Sequence, residues 1–506
     1  MSIMIELTGF ELTYARIFAI IAEEQPVRIS KQAIAKLKTN RNIVLETTQS
    51  VYGLNTGVGQ NKDLSIQSDL LVQFNQNLVT SHLIGTGPLL SPRLSKIILL
   101  IRINQLAQGY TGISPEIPEL LMQLFNQDVI PALPSYGSIG EADIGILSYL
   151  AEVVSGQGQV WLAGRLVKTS VAFEQLNIQP ITLGPKDALS LLSSNTYGIG
   201  QAVAELDKLQ KLMQLQTQTL ALSMVALDAN ITPILKSVLQ ANHNAYQNQA
   251  ANDLKALLKP SVLWNYHVRR QVQDPISFRS ATHIAGAIGR TIANAITVID
   301  DYLQGSDDNP MVDAKSGFIL STGNFEVIDV ALALETVIQG ITHLSRTIVQ
   351  RIKHLNNPEI TALPRFLIQQ DGTQFGLQTL QKLAVDLDVR IRQLAYPISN
   401  EFYGLAGDIE DHQSNLPLIG ASLRQINKYL QTLLALELYN AIQALYLRYG
   451  SDAAKSLGTE LGDFYTEIRK TISPITSDRQ YGQDIQTLED WLADYLATSD
   501  LNRSQN

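Results

Sequence analysis

The sequence predicts a mainly α-helical protein, an elongated helical bundle with a loop-rich N-terminal region and a small β-hairpin. Apolar residues recur at helical spacing over many turns from about residue 185 onward. Loops that carry glycine and proline interrupt the first part, and one short segment alternates between two glycines. With 506 residues, 45% of them hydrophobic and 17% charged, the chain is long enough to bury a large core.

The loop-rich region is predicted to span residues 1–195. Short helical patterns alternate there with loops at 52–59, 85–92, 132–145 and 155–165. Loops of this kind often carry reactive groups on a rigid scaffold. Residues 158–167 alternate in polarity between two glycines, which predicts the β-hairpin.

The central bundle is predicted over residues 196–450. Its apolar stripes cover five segments: 197–228, 280–304, 326–355, 374–395 and 417–449. Long helices with so little sequence between them must bury their stripes against one another. A helical section over 451–506 is expected to complete the chain.

Composition excludes several classes of function. The net charge is −9 and no cluster of Lys and Arg occurs, so nucleic acid is not an expected partner. The absence of cysteine excludes disulfides, thiolate metal sites and a cysteine nucleophile, and we predict no metal site. The N-terminus lacks a signal-peptide pattern and no run of eighteen apolar residues occurs, so we expect a cytoplasmic protein with no membrane partner.

Residues 52–59 read Tyr-Gly-Leu-Asn-Thr-Gly-Val-Gly, which resembles the catalytic tyrosine loop of the aromatic amino-acid ammonia-lyases. Further segments resemble other signatures of that family in the same order: Asn-Leu-Val-Thr-Ser-His at 77–82, Gln-Asp-Pro-Ile-Ser-Phe-Arg at 273–279, Ser-Asp-Asp-Asn-Pro at 306–310, Thr-Gly-Asn-Phe at 322–325 and Glu-Asp-His at 410–412. Each match alone is weak, and their common order makes the resemblance specific.

The resemblance implies the helical fold shared by ammonia-lyases and fumarase-type enzymes, in a compact bacterial form. It implies a homotetramer whose pockets combine loops of more than one subunit. The candidate site residues that it supplies are Tyr52, Asn55, His82, Arg279, Asn309, Asn324 and Glu410. In the family the tyrosine is catalytic, the histidine contributes to the substrate side-chain pocket and the arginine holds the substrate carboxylate.

One segment departs from the family pattern. Residues 137–143 read Gly-Ser-Ile-Gly-Glu-Ala-Asp, whereas the family has Gly-Ser-Val-Gly-Ala-Ser-Gly-Asp. In the family the Ala-Ser-Gly triplet cyclises into the electrophilic methylidene-imidazolone group, abbreviated MIO. This chain has one residue fewer and no serine to dehydrate there, so we expect no MIO group and no other cofactor.

Two further departures lie at positions that in the family assist formation or use of the ring. Ile276 replaces a tyrosine, and Ser193 replaces an asparagine, although Asn195 lies close enough for a local shift to bring it into the site. We retain Ser193, Asn195 and Ile276 as candidate substrate-binding positions. Their joint change with the lost triplet indicates a pocket refitted after the prosthetic group was abandoned.

Glu141 occupies the position where the ring would form. It precedes an apolar segment, so its carboxylate is expected near a helix N-terminus. It could simply satisfy that helix end, or it could replace the electrophile with an anion. A helix N-terminus favours the ionised form, which predicts a base or a counter-charge to a cationic substrate. Glu410 is expected to face it, and two carboxylates in one cleft can hold different protonation states.

The other candidates also have structural alternatives. Tyr52 could fill a crevice, but a phenol in a glycine-rich loop suits a general acid or base. Arg279 suits bidentate binding of a carboxylate and could equally form a structural ion pair. His82 and His283 could be hydrogen-bonded structural residues or functional ones.

The function predicted from the sequence is a lyase or cyclase that works without MIO. It would carry out elimination, addition or ring closure on a small molecule bearing an amino or carboxylate group. Arg279 would bind the carboxylate, Tyr52 and Glu410 would move protons, and Glu141 would supply charge. The alternatives are an ammonia-lyase that uses an unusual route and a non-catalytic paralogue that binds a ligand.

Overall fold

The computed structural model describes residues 4–265, 272–369 and 371–503, and it is mainly helical, as predicted. The α-helices of the first half are α1 (Tyr14–Ala22), α2 (Lys31–Glu46), α3 (Leu71–His82), α4 (Pro92–Ala107), α5 (Glu116–Asn126), α6 (Ile144–Val154), α7 (Thr169–Leu176), α8 (Asp187–Leu192), α9 (Thr196–Leu227), α10 (Lys236–Ala241) and α11 (Ala245–Leu258). Those of the second half are α12 (Ile276–Arg279), α13 (Ala281–Gln304), α14 (Ile328–Leu355), α15 (Pro358–Thr361), α16 (Leu380–Gln393), α17 (Leu416–Tyr449), α18 (Ala453–Leu457), α19 (Thr459–Thr471) and α20 (Tyr481–Arg503).

The strands are short and form small separate sheets. They are β1 (Ile5–Leu7), β2 (Val27–Ile29), β3 (Thr86–Leu89), β4 (Ile130–Pro131), β5 (Pro134–Tyr136), β6 (Gln159–Leu162), β7 (Arg165–Lys168), β8 (Met311–Asp313) and β9 (Phe318–Leu320). β1 pairs with β2 in parallel, while β3 with β5, β4 with β6, β6 with β7 and β8 with β9 pair antiparallel.

The predicted hairpin is confirmed at β6 and β7. Val160 pairs with Val167 and Trp161 with Leu166, and a two-residue turn joins the strands. Both turn residues, Ala163 (φ 48°) and Gly164 (φ 73°), have left-handed backbone, which matches the right-handed twist of the strands in a tight hairpin.

Each of the five predicted helical stripes contains a long helix, namely α9, α13, α14, α16 and α17. In α17 the side chains of Leu430, Leu433 and Leu434 are fully buried, because each lies on a stripe that other helices cover. The C-terminal helical section is also present, as α18 to α20. No helix among the described residues is long and apolar enough to cross a membrane.

Contacts divide the chain into two compact units. Unit 1 contains Met1–Ala204, Ala295–Leu334 and Pro397–Ala421, and unit 2 contains Glu205–Asn294, Glu335–Tyr396 and Ser422–Asn506. Each unit therefore combines segments that are distant in sequence. The division into 1–195, 196–450 and 451–506 stays a prediction. Within unit 1, α6 packs against α3 and α8, and the candidate site lies around this group of helices.

Candidate functional site

The loop that follows α2 carries Tyr52 and is held by hydrogen bonds. The side-chain oxygen of Asn55 accepts the Val51 N–H at 2.7 Å, and its amide donates to the Gln49 carbonyl at 2.7 Å. Asn55 therefore fixes the loop and does not line the cavities described below. Gly53 has φ 66°, and a Cβ there would collide with Leu189 Cδ2 in α8, so only glycine fits.

The same loop continues into a short 3-10 turn, Gly59–Asp63, which receives the phenol of Tyr52. The Gly59 N–H donates to the Tyr52 hydroxyl at 2.7 Å. A bridge between Thr56 and Ser65 closes the loop, with the Gly57 N–H donating to the Leu64 carbonyl at 3.0 Å. The position of Tyr52 is thus tied to the turn that follows it.

Glu141 lies in the loop before α6, near the helix N-terminus as predicted, but the residue that organises the loop is Asp143. Its Oδ1 accepts the Ser138 hydroxyl at 2.6 Å, and its Oδ2 accepts the Gly198 N–H in the first turn of α9 at 2.9 Å. The Ser414 hydroxyl donates to the Gly140 carbonyl at 2.7 Å. These contacts fix the backbone on both sides of Glu141.

Glu410 ends a tight turn that meets the Tyr52 loop. Its N–H and carbonyl pair with Leu405, at 3.3 and 2.7 Å. A Cβ on Gly59 would lie 3.4 Å from the Ala406 Cβ and 3.9 Å from Glu410 Oε1. These are ordinary van der Waals distances, so glycine is favoured at this position by its left-handed backbone, φ 58°, and not by a lack of space.

Two cavities of unit 1 meet at these loops. The first, the Glu141 cavity, has a volume of about 510 Å³ and is lined by Ser50, Tyr52, Thr56, Lys62, Asp63, Glu141, Ala142, Ile144, Leu189, Ser193, Asn309, Ser321, Thr322, Phe325, Ile409 and Glu410. The second, the His82 cavity, has a volume of about 480 Å³ and is lined by Tyr52, Gly57, Val58, Gly59, Gln60, Asn61, Phe74, Asn77, Leu78, Ser81, His82, Ile144, Leu189, Leu192, Ala406 and Glu410. Both share Tyr52, Ile144, Leu189 and Glu410, so these four residues mark their junction.

The electrostatics of the junction correct one prediction. Burial raises the pKa of Glu141 from 4.5 to about 7, the nearby carboxylate of Glu410 contributes to the rise, and a hydrogen bond from Gln413 opposes it. The prediction that the helix N-terminus keeps Glu141 ionised is therefore wrong, because burial and the second carboxylate outweigh it. Near neutral pH Glu141 exists in both protonation states.

Tyr52 keeps its proton at neutral pH. Burial raises the pKa of its phenol above the usual value of 10, Glu410 and Glu141 raise it further, and the hydrogen bond from Gly59 acts in the opposite direction. The phenol is therefore a hydrogen-bond and proton donor in this state.

His82 is half-buried at the end of α3. Its Nδ1 lies 2.7 Å from the Leu78 carbonyl and 3.1 Å from the Ser81 hydroxyl. A carbonyl oxygen only accepts, so Nδ1 carries hydrogen and Nε2 of the neutral ring is an acceptor.

The segment that follows α8 places Ser193, and not Asn195, in the Glu141 cavity. Asn195 is fully buried, its amide donates to the Phe325 carbonyl, and its N–H donates to Asp307 Oδ2 at 3.1 Å. The suggestion that a local shift could bring Asn195 into the site is therefore wrong. Its side chain instead holds the backbone of Phe325, which lines the cavity.

Two asparagines of the later motifs differ in placement. Asn309 lines the Glu141 cavity, and its Oδ1 accepts the Thr322 N–H at 2.9 Å. Asn324 is exposed and lies outside both linings. The structure thus gathers Tyr52, Glu141 and Glu410, together with Ser193 and Asn309, around one cavity.

The remaining candidates belong to unit 2. Ile276 is 58% exposed, and Arg279, at the end of α12, donates to the Gln273 side chain. His283 is exposed, with its Nε2 2.7 Å from the amide nitrogen of Gln247. Their roles in substrate binding stay predictions.

Sequence reasoning missed two charged residues of the Glu141 cavity, Lys62 and Asp63. Both follow the Tyr-loop motif directly, and that proximity was the one available signal. No group of three metal-ligating side chains occurs among the described residues, in this cavity or elsewhere.

The sequence is similar to that of a known enzyme family. A sequence model for the family "Aromatic amino acid lyase" matches residues 12–470. Histidine ammonia-lyase of Shouchella clausii is 30% identical over 493 residues, which cover 97% of this chain and 98% of that protein. Histidine ammonia-lyase of Bacillus subtilis is 28% identical over 97% of this chain and 96% of that protein.

Solved structures are similar over nearly the whole chain. The ergothioneine-degrading enzyme ergothionase from Treponema denticola, determined with desmethyl-ergothioneine sulfonic acid, superposes with a TM-score of 0.94 at 31% identity over 97% of this chain and 99% of that one. Tyrosine aminomutase from Streptomyces globisporus superposes with a TM-score of 0.91 at 25% identity over 99% of each chain.

Proposed function

The chain belongs to the aromatic amino acid lyase family, and from its site we propose that it is a lyase that works without the MIO group. The observation that carries the proposal is the placement of Glu141. This carboxylate occupies the sequence position of the ring and shares a cavity with Tyr52 and Glu410. The reaction proposed is acid/base elimination on a small molecule that bears an amino group and a carboxylate.

The residues present do not fit the MIO group. That group needs a serine between alanine and glycine, and residues 140–143 supply Gly-Glu-Ala-Asp. The nearby serine, Ser138, donates its hydroxyl to Asp143 and also accepts the Gly140 N–H at 3.2 Å, which is a structural role. The proposed reaction therefore has no step that uses this group.

In the proposed elimination these three side chains have distinct roles. An ionised carboxylate of the Glu141 and Glu410 pair removes a proton from the carbon next to the one that bears nitrogen. The C–H electron pair forms the C=C bond, and the C–N electron pair leaves with the amine. Tyr52, which keeps its proton, donates a hydrogen bond to the negative charge that develops. General acid/base groups of this kind contribute on the order of a hundred- to ten-thousand-fold in rate.

The leaving group decides whether such a site can work. The hydrogen to be removed is weakly acidic, and without an electrophile the nitrogen must be able to leave unaided. A nitrogen with a permanent positive charge meets this requirement, and an acidic cavity suits it. Ergothioneine, which the Treponema denticola enzyme degrades, is a betaine with such a nitrogen. We propose that this chain also acts on a betaine of an aromatic amino acid.

The test compares ergothioneine, histidine betaine and histidine as substrates under identical conditions, by the ultraviolet absorbance of the unsaturated product. We expect turnover of at least one betaine, with kcat/KM for histidine lower by a hundredfold or more. Equal turnover of histidine would contradict the proposal. Binding of a betaine without turnover would favour the non-catalytic alternative.

We also propose a homotetramer in the cytoplasm. Several large apolar side chains of unit 1 are exposed, among them Phe402 (49%), Tyr403 (73%) and Leu405 (44%). Exposed apolar groups this close together in sequence favour burial against another copy. Light scattering should give the mass of four chains, and a monodisperse monomer at micromolar concentration would contradict the assembly.

A further inference from the structure

The lining of the Glu141 cavity contains a single lysine. Of the residues lining this cavity, three carry carboxylates, Asp63, Glu141 and Glu410, and only Lys62 carries a positive charge. Lys62 is exposed, and within the described residues it makes no ion pair or side-chain hydrogen bond. Its ammonium group is thus available to an anion that enters the cavity.

Hydroxyl and amide groups of the same lining add hydrogen-bond donors. The Ser193 hydroxyl and the side-chain amide of Asn309 line the cavity, whereas the Thr322 hydroxyl already donates to the Asp308 carbonyl at 2.7 Å and the Ser321 hydroxyl to Asn309 Oδ1 at 3.5 Å. Oδ1 of Asn309 is occupied by the Thr322 N–H at 2.9 Å, which leaves the Asn309 nitrogen as the donor. A carboxylate accepts hydrogen bonds only, so donors around one cation form a suitable environment for it.

The placement also matches the chemistry of the substrate class proposed above. In an amino acid or its betaine, the nitrogen and the carboxylate are attached to the same carbon. Groups that bind both are therefore expected close together, and Lys62 and the pair of Glu141 and Glu410 line the same cavity. The His82 cavity, which Phe74 and Leu78 line, adjoins this cavity at Tyr52 and offers space for an aromatic ring.

From these observations we infer that Lys62 binds the carboxylate of the substrate and so determines specificity for amino-acid betaines over neutral analogues. The inference rests on the proposed function, because it assigns a subsite of the same cavity. Lys62, in unit 1, would bind the substrate carboxylate in addition to Arg279, for which the same role is predicted.

Binding at Lys62 is also coupled to the position of Tyr52. Lys62 lies in the turn Gly59–Asp63, whose first N–H donates to the Tyr52 hydroxyl at 2.7 Å. The bridge between Thr56 and Ser65 closes the loop around this turn. A carboxylate held by Lys62 therefore restrains the turn that positions the phenol.

The experiment uses binding probes that cannot react. Imidazole-4-propionate has the ring and the carboxylate but no nitrogen leaving group, and imidazole-4-propionamide is its neutral analogue. Calorimetry with the full-length wild type should show tighter binding of the carboxylate. Lys62→Gln should weaken binding of the carboxylate probe about tenfold, which is the effect of losing a charge-assisted hydrogen bond. Its affinity for the amide probe should stay unchanged. Lys62→Arg should restore most of the preference.

Two control variants isolate the charge at this position. Asp63→Asn changes charge in the same cavity and should not weaken carboxylate binding, and Arg279→Gln reports the contribution predicted for unit 2. The inference is overturned if wild type binds both probes equally, if Lys62→Gln weakens both equally, or if only Arg279→Gln removes the preference. These outcomes do not depend on turnover. Suppose that Lys62→Gln loses the preference for the carboxylate probe, but the wild type converts no betaine. This pair of results would refute the proposed function and leave the role of Lys62 in binding intact.

Discussion

Two glutamates with reduced access to water have opposite surroundings in the two units. In unit 2, Glu437 is fully buried and receives Arg351 through two hydrogen bonds of 2.6 and 2.7 Å, with a third from the Ser223 hydroxyl at 2.9 Å. In unit 1, Glu141 faces a second carboxylate, Glu410, and its Oε2 is buried without a hydrogen-bond partner among the described residues. A buried carboxylate that is paired with its own arginine has a structural role. A carboxylate that lines a cavity without such a pair is available to a ligand.

The largest expected effect is at the structural pair. Arg351→Met leaves Glu437 buried without its partner, and breaking a buried ion pair in this way costs about 3–5 kcal/mol of unfolding free energy. Thermal denaturation should show a large loss of stability. Arg390→Met, which breaks the exposed pair with Asp386, is the control and should change the melting temperature little. Equal effects of the two variants would remove the basis of the comparison.

The second largest effect is expected on the catalytic rate. Tyr52→Phe removes one hydroxyl at the junction of the cavities and should lower kcat about a hundred- to ten-thousand-fold. Stability should change little, because the loop retains the hydrogen bonds of Asn55 and the Thr56 bridge. Tyr246→Phe, at a side chain of unit 2 that is 39% exposed and lies outside both cavity linings, is the matched control. Full activity of Tyr52→Phe on the true substrate would exclude the donor role.

The smallest effect is at Glu141 and depends on pH. Its pKa is 4.5 in the unfolded chain and about 7 in the folded one, so folding carries no penalty below pH 4.5 and the full penalty above pH 7. Glu141→Gln should therefore stabilise the fold at pH 8 by about 1 kcal/mol, after allowance for solvent screening, and not at pH 4. Activity should be lost although stability rises.

Thermal melts at the two pH values measure this difference, and Glu359→Gln at an exposed helix start serves as control. A loss of stability at pH 8 with retained activity would assign Glu141 to the helix end instead.

The fold and part of the site could be predicted from the sequence, for physical reasons that differ between residues. Long apolar stripes and the glycines at 158 and 164 determine local structure, so the helices and the hairpin were predictable. The order of motifs located Tyr52 and Glu410. The ionisation of Glu141 was not predictable, because it depends on burial and on a carboxylate that is distant in sequence.

Two side chains show where motif reasoning reaches its limit. Asn55 belongs to the matched loop, yet both ends of its amide are used to hold the backbone. Lys62 belongs to no motif, yet it lines the cavity, because the closed loop turns back toward Glu141. Sequence alone reveals neither the occupied hydrogen bonds nor the direction of a loop.

The central claim, that the enzyme works without a ring built from its backbone, is tested most directly by mass. Intact-protein mass spectrometry, with peptide mapping of residues 137–145, should be carried out on a preparation that converts a betaine. The account predicts an active protein whose mass equals that of its sequence. A loss of two water molecules localised to residues 137–145 would contradict it.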